Sequence, residues 1–142
     1  MLNEVIIGKQ FPEKVIPLIE GAKNSIKTIV FDWRWYANDP GNSVQLFNQA
    51  IVRASRRGVK IEAIVNSTEI LNPLRENGIN VKKLNITGLV HAKLMIIDNN
   101  IIIVGSHNYT HNAFVVNHEL SLILRNCDVI KDINTFFTSL WL

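Results

Sequence analysis

The sequence predicts an α/β fold, a mixed β-sheet of about seven to eight strands flanked by helices on both faces. Three observations lead there. Short apolar runs rich in β-branched residues alternate with stretches whose apolar residues recur at helical spacing. Glycine and asparagine turn signals separate them. One stretch, His91 to Asn108, reads instead as two apolar runs joined by a tight turn, which places an antiparallel hairpin beside βαβ units.

Taken in order, Glu4 to Ile7 is a short strand ended by Gly8. Pro12 suits a first helical turn, and Val15, Leu18, Ile19 and Ala22 repeat at helical spacing, while Pro17 predicts a kink or a delayed start. Ile26 to Tyr36 reads as a strand. Asn38 to Asn42 is a loop, after which Ser43 caps a helix running to about Arg57, with Val44, Phe47, Ile51 and Ala54 on one face. A strand from Val59 to Val65 follows. Asn66-Ser67-Thr68 caps a helix to about Asn77, Gly78 stops it, and Ile79 to Leu84 is a further strand. After Gly88 comes the hairpin, then a strand from Asn117 to Arg125 and an amphipathic helix from Val129 to Leu140. Neither a repeat nor a linker divides the chain, so residues 1–142 are expected to form one domain.

Composition narrows the functional classes. Hydrophobic residues are 47% and charged residues 19%, which is globular, and a net charge of +3 permits a polyanionic partner without demanding one. A single cysteine, Cys127, leaves no intramolecular disulfide and no cysteine-rich metal site. No constellation of metal ligands is visible, so neither a metal nor another cofactor is expected. The N-terminus lacks a secretory signal and no apolar run is long enough to span a bilayer, so the expected location is cytoplasmic.

The hairpin carries the chemistry. With Asn99-Asn100 as a two-residue turn, Asp98 pairs with Ile101, His91 opposes Asn108 and Lys93 opposes Ser106. Opposed residues share a face, so these four polar side chains are expected to converge on one patch. A proton carrier, a fixed cation and two neutral hydrogen-bonding groups suit a phosphate oxyanion. A slip of one residue would scatter them.

His91-x-Lys93, four residues, Asp98, six residues, then Gly105-Ser106-x-Asn108 resembles the HKD signature of the phospholipase D superfamily. Glu119, thirteen residues beyond Ser106 within Asn117-His118-Glu119, matches a glutamate typical of its compact single-motif nuclease branch. The resemblance implies a phospholipase D-like fold and a metal-independent phosphodiesterase working through a covalent phosphohistidine. His91 would be nucleophile in one copy and general acid in the other. Lys93 and Asn108 would hold non-bridging phosphate oxygens and Ser106 would add a hydroxyl donor. Glu119 would accept a hydrogen bond from the far nitrogen of His91, fixing its tautomer. Asp98, roughly 23 Å from His91 along an extended strand and on its opposite face, is expected to serve the turn, accepting backbone N–H bonds around Asn99 and Asn100. Gly105 joins it as a structural member of the motif.

The mechanism needs two histidines across one phosphorus, and the chain carries one motif. His107 is turned away by strand alternation, and His111 and His118 lack a companion lysine and asparagine. A twofold homodimer sharing two copies of His91 is the economical solution. The substrate expectation is DNA or RNA, with a phospholipid such as cardiolipin, or a catalytically silent binding module, as alternatives. Trp33, Arg34 and Trp35 are candidate substrate contacts, the two tryptophans fitting either base stacking or a core face shared with Phe31. Arg53, Arg56, Arg57, Lys60, Lys82 and Lys83 fit either a phosphate-tracking surface or solvated helix ends and loops.

Overall fold

Strand propensity peaks in Ser25–Val30 (β2), where Ile26, Thr28, Ile29 and Val30 are all buried, and the sheet is built outward from it. On one side β2 pairs in parallel with Lys60–Val65 (β3), which pairs in parallel with Asn80–Lys83 (β4). On the other side it pairs antiparallel with Leu94–Ile97 (β5), followed by Ile101–Gly105 (β6), Leu120–Arg125 (β7) and, at the edge, Glu4–Ile7 (β1). The order is β1-β7-β6-β5-β2-β3-β4, a mixed seven-stranded sheet. The computed structural model describes residues 3–125 and 128–142, so Cys127 lies outside the described residues.

Helices cover both faces, as expected. Gln10–Glu20 (α1), Ser43–Arg56 (α2) and Leu71–Glu76 (α3) enclose the larger core, which includes Val15, Ile19, Phe47, Ile51 and Leu74. Ile130–Trp141 (α4) covers Ile29, Ile64, Leu94, Ile96 and Ile102 on the opposite face through Phe137. The α2 stripe of Val44, Phe47, Ile51 and Ala54 is fully buried, as its spacing requires.

Several local expectations are corrected. α1 runs unbroken through Pro17, which lies on the exposed face where the carbonyl it leaves unpaired can reach water. The cap of α2 is Asn42, whose side chain accepts from Val44 N–H at 2.9 Å, so Ser43 already lies inside the helix. No side chain of Asn66-Ser67-Thr68 caps α3. Ser67 instead bonds the backbone N–H and carbonyl of Trp33, and α3 starts later, at Leu71. β2 ends at Val30, because the chain from Phe31 onward turns to bond the Tyr109 backbone through Asp32 and Arg34. β7 begins at Leu120, after a π-helix at Asn112–Val116 that the hydrophobic pattern did not announce.

The hairpin register is also corrected. Ile97 pairs with Ile101 and Leu94 with Val104, one residue away from the expected pairing. Asp98 and Asn99, not Asn99 and Asn100, take the left-handed turn positions with φ of 52° and 55°, closed by Asn100 N–H to the Ile97 carbonyl at 3.1 Å. Lys93 therefore lies across from Gly105, and Ser106 falls on the other face of the ladder.

Topology gathers one end of the sheet. Because β5 runs antiparallel to β2, the start of β5 lies beside the carboxyl end of β2. The end of β6, the start of β7 and the end of β1 follow by the same logic. The gap between β2 and β5 is where the strand order reverses direction, the place where open α/β sheets carry their ligands.

Candidate active site

At that end His91 and Lys93 lie just before β5, with Lys93 Nζ 3.2 Å from His91 Nδ1. An ammonium only donates, so Nδ1 is the acceptor and a neutral His91 carries its proton on Nε2. Phe31, at the exit of β2, packs its ring 5.1 Å from the His91 ring and lies 6.0 Å from Lys93 Nζ. Burial lowers the Lys93 pKa below the ordinary lysine value, with the Glu119 charge opposing. The lysine is thus partly desolvated and within electrostatic reach of the glutamate.

Across the β6–β7 ladder, Ser106 Oγ donates to Glu119 Oε1 at 2.5 Å and accepts from Leu120 N–H at 3.0 Å. The second carboxylate oxygen of Glu119 accepts from Asn117 Nδ2 at 3.2 Å. The bond expected between His91 and Glu119 is therefore not the one made here: Glu119 is held by Ser106 and Asn117, and His91 by Lys93. Asn108 Oδ1 accepts from the Asp32 backbone N–H at 3.0 Å, which leaves its amide Nδ2 as the donor it can offer.

The expected residues thus meet, but by another route. A single strand face does not align His91, Lys93, Ser106 and Asn108, since the register forbids it. They gather where the strands have stopped pairing: Lys93 bonds His91, Ser106 bonds Glu119, and Phe31-Asp32 lie between His91 and Asn108. Neither Phe31 nor Asp32 is among the residues expected at the site, although Asp32 opens the stretch that leaves the early strand. Their position at the carboxyl end of the central strand was the available signal.

Gly105 has a steric reason. A Cβ there would run into Ser121 and would lie 2.5 Å from the Leu120 carbonyl oxygen, so β6 and β7 approach this closely only without one. Asp98 sits at the opposite end of the sheet, and its partners differ from those expected. Its carboxylate accepts from Lys23 N–H at 2.9 Å, Asn24 N–H at 2.7 Å and Ser25 N–H at 3.0 Å, tying the turn to the start of β2. Burial pushes its pKa up, but these three donors outweigh it and hold the carboxyl below its ordinary value.

His107 is buried, as strand alternation required. It stacks on Phe11 at 4.6 Å, and its Nε2 lies 3.0 Å from the Gly8 carbonyl. That carbonyl only accepts, so Nε2 carries the proton and Nδ1 accepts from Ser121 Oγ at 2.7 Å.

The tryptophan expectation divides. Trp33 is 0% exposed with its indole N–H on Asn48 Oδ1 at 2.7 Å, which makes it a core residue. Trp35 is half-buried against the same core. Arg34 is exposed, yet it pairs with both Asp32 and Glu69, so much of its charge is already met. Grooves of about 230 and 330 Å³ flank it, one beside Phe31 and Ser67, the other beside Tyr36 and His111. Of the more distant cations, Arg57 bonds the Ile19 and Ala22 carbonyls, Arg53 pairs with Glu20, and Lys82 bonds the Trp141 carbonyl while lying over its ring. These three serve the fold. Among the described residues, no group of three or more His, Cys, Asp or Glu side chains is placed to hold a metal ion. No helix of the structure is long and apolar enough to cross a membrane.

A layered α/β sheet with this cluster at its reversal point defines a phospholipase D-like domain. The chain belongs to that family: the family model described as Cardiolipin synthase, PLD-like domain, matches residues 15–141. A mitochondrial cardiolipin hydrolase of Xenopus laevis is 27% identical over 127 residues, covering 85% of this chain and 56% of that protein. A 5'-3' exonuclease PLD3 of the same organism is 23% identical over 142 residues, covering 88% of this chain and 29% of that protein. The chain spans little more than half of the first relative and under a third of the second. The solved structure of NucT from Helicobacter pylori shares the fold over 99% of this chain and 95% of its own, with a TM-score of 0.81 at 20% identity.

Proposed function

We propose that this domain is a metal-independent phosphodiesterase that hydrolyses DNA or RNA through a phosphohistidine, at a site shared by two copies of the chain. The supporting observation is the assembly of His91, Lys93, Ser106, Asn108 and Glu119 at one open end of the sheet. The grooves on either side of Arg34 give a polymer room to continue past the scissile phosphate.

In this reading Lys93 leaves His91 Nδ1 for a non-bridging phosphate oxygen, and Asn108 Nδ2 takes another. The ring proton then moves to Nδ1, and Nε2 becomes the nucleophile. A bond forms from Nε2 to phosphorus as the bond to the leaving oxygen breaks, and the partner's His91 gives that oxygen its proton. The partner's His91, now neutral, takes a proton from water, whose oxygen displaces the first histidine from phosphorus. Glu119, once released from Ser106, offers the carboxylate that steadies the Nδ1 proton. One histidine must start neutral and the other protonated, so activity follows a bell-shaped pH profile whose limits belong to the pair.

A phospholipid substrate is the second reading. It is favoured by the name of the cardiolipin hydrolase relative and by an apolar groove of about 560 Å³ beside Glu119, lined by Ile7, Val115, Val116 and Leu120. One assay separates the two. Purified protein is incubated in EDTA with single-stranded DNA, duplex DNA, RNA, cardiolipin vesicles and a chromogenic phosphodiester. Cleavage of nucleic acid is expected. Cleavage of lipid alone would retire the nuclease reading, and activity that vanishes in EDTA and returns with a divalent ion would retire the mechanism.

A further inference from the structure

The two grooves beside Arg34 share Asp32 and Arg34 as a common wall and differ in everything else. One is completed by Asn66, Ser67 and Glu69, and its ring, Phe31, packs on His91. The other is completed by Tyr36, Thr110, His111 and Asn112, so a phenol and an imidazole enter its lining. This second groove is continuous with the catalytic cluster. Asp32 donates its N–H to Asn108 Oδ1 at 3.0 Å, and the segment that carries Asn108 runs on through Thr110 and His111 into the groove.

The groove wall is held in place although it is open to solvent. His111 is exposed at the N-cap of the π-helix, an element that is rare and gathers at functional sites. Its backbone N–H donates to Tyr36 Oη at 2.9 Å, and its Nδ1 lies 3.2 Å from Asn42 Nδ2. Asn42 Oδ1 already caps α2, so the amide nitrogen is what faces His111. That nitrogen only donates, so Nδ1 accepts and a neutral His111 carries its proton on Nε2. Tyr36 is fixed in turn, its N–H donating to Gln45 Oε1 at 2.8 Å and its carbonyl accepting from Asp39 N–H at 3.1 Å. Rings positioned before a ligand arrives give up little freedom when it binds.

We propose that this groove is a nucleobase subsite, in which the base beside the scissile phosphate rests against Tyr36 and His111; the proposal rests on the nuclease reading above. A nucleobase is a flat ring with hydrogen-bond donors and acceptors around its edge. Tyr36 and His111 supply ring surface, and Asn112, Thr110 and Asp32 supply edge partners of both kinds. At about 330 Å³ the groove lies at the small end of ligand sites, a size for one nucleoside. An acyl chain would leave these polar walls unmatched. The groove beyond Phe31 lacks a second ring and is the poorer place to stack.

The test isolates the base from the rest of the substrate. The two p-nitrophenyl esters of thymidine monophosphate, one on each sugar hydroxyl, are each paired with the ester of the same sugar lacking its base. Turnover in EDTA is followed for wild type, His111→Ala and Tyr36→Leu. Wild type is expected to show a kcat/KM about tenfold higher for one thymidine ester than for its base-free counterpart. Each substitution should shrink that preference to about threefold or less. The preference is a ratio within one protein, so a general loosening of the fold, which lowers both esters alike, does not move it. Equal turnover of thymidine and base-free esters by wild type overturns the subsite. So does a preference that survives both substitutions, or a variant that loses both esters in proportion. Should Tyr36→Leu fail to fold, His111→Ala, at an exposed position, decides alone. Nucleic-acid cleavage that is blind to the base removes the subsite and leaves the nuclease reading standing. Cleavage of cardiolipin vesicles without cleavage of nucleic acid overturns that reading, and the subsite with it.

Discussion

The two ends of the β5–β6 hairpin carry the same kinds of residue and put them to opposite uses. At the turn, Asp98 accepts from three backbone N–H groups and donates its own N–H to the Ser25 carbonyl, so its polar groups are engaged by the chain. At the open end, His91 and Lys93 hold mainly each other, and Asn108 bonds one backbone N–H while keeping an amide donor. A buried apolar hairpin tolerates polar residues at either end for different reasons. Where the fold absorbs their bonding capacity they are architecture, and where capacity is left over they can meet a substrate. The signature residues of this chain therefore fall into two environments.

Four experiments press on that contrast. The largest effect is expected at the open end: His91→Ala should lower turnover of a phosphodiester by roughly 10⁴-fold or more while the melting temperature stays within about 2 °C. Lys93→Ala should cost on the order of 10²- to 10³-fold in turnover, the loss expected when a donor to developing oxyanion charge is removed. At the turn the pattern should invert. Asp98→Ala should cost about 1–2 kcal/mol of stability in urea unfolding, since three backbone donors lose their acceptor and one of them, Ser25 N–H, is partly buried, with turnover per folded molecule unchanged. An Asp98→Ala protein of wild-type stability and no activity would collapse the distinction between the two ends.

The smallest effect concerns pH. His107 is neutral in the fold because burial lowers its pKa, with the Gly8 carbonyl and Glu119 opposing. The folded value lies below the unfolded one, so the unfolded chain binds the proton first as pH falls. The stability it contributes is complete above about pH 6.5 and is lost below it. Thermal melts between about pH 7 and about pH 5 should show this decline, and His107→Gln should flatten it. The Asp98 carboxyl is depressed too, so its contribution persists to lower pH and disappears only as pH falls from its ordinary range through the folded value.

Much of this was legible in the sequence. Alternating apolar runs and turn signals gave the order of strands and helices because burial imposes its period directly on the chain. The motif spacing singled out His91, Lys93, Ser106, Asn108 and Glu119. What was hidden were events that depend on partners far along the chain. The turn shifted because Asp98 is drawn onto the backbone at residues 23–25, a contact no local pattern shows. Trp33 went to the core because Asn48, on α2, supplies an acceptor for its indole. The π-helix at Asn112–Val116 and the placement of Phe31 beside His91 likewise depend on tertiary packing.

The β1 edge is capped, since Ile7 N–H donates to Gln10 Oε1 at 3.0 Å and the Val5 carbonyl accepts from Lys14 Nζ at 3.0 Å, and it has a counterpart across the molecule. β4, the other edge, ends in Lys82 and Lys83, whose ammonium groups reach the Trp141 carbonyl and Thr68 Oγ1. Both rims of the sheet thus discourage head-to-tail growth, the route by which β-rich chains become fibres. With both rims sealed, concentrating the protein should yield no open-ended polymer.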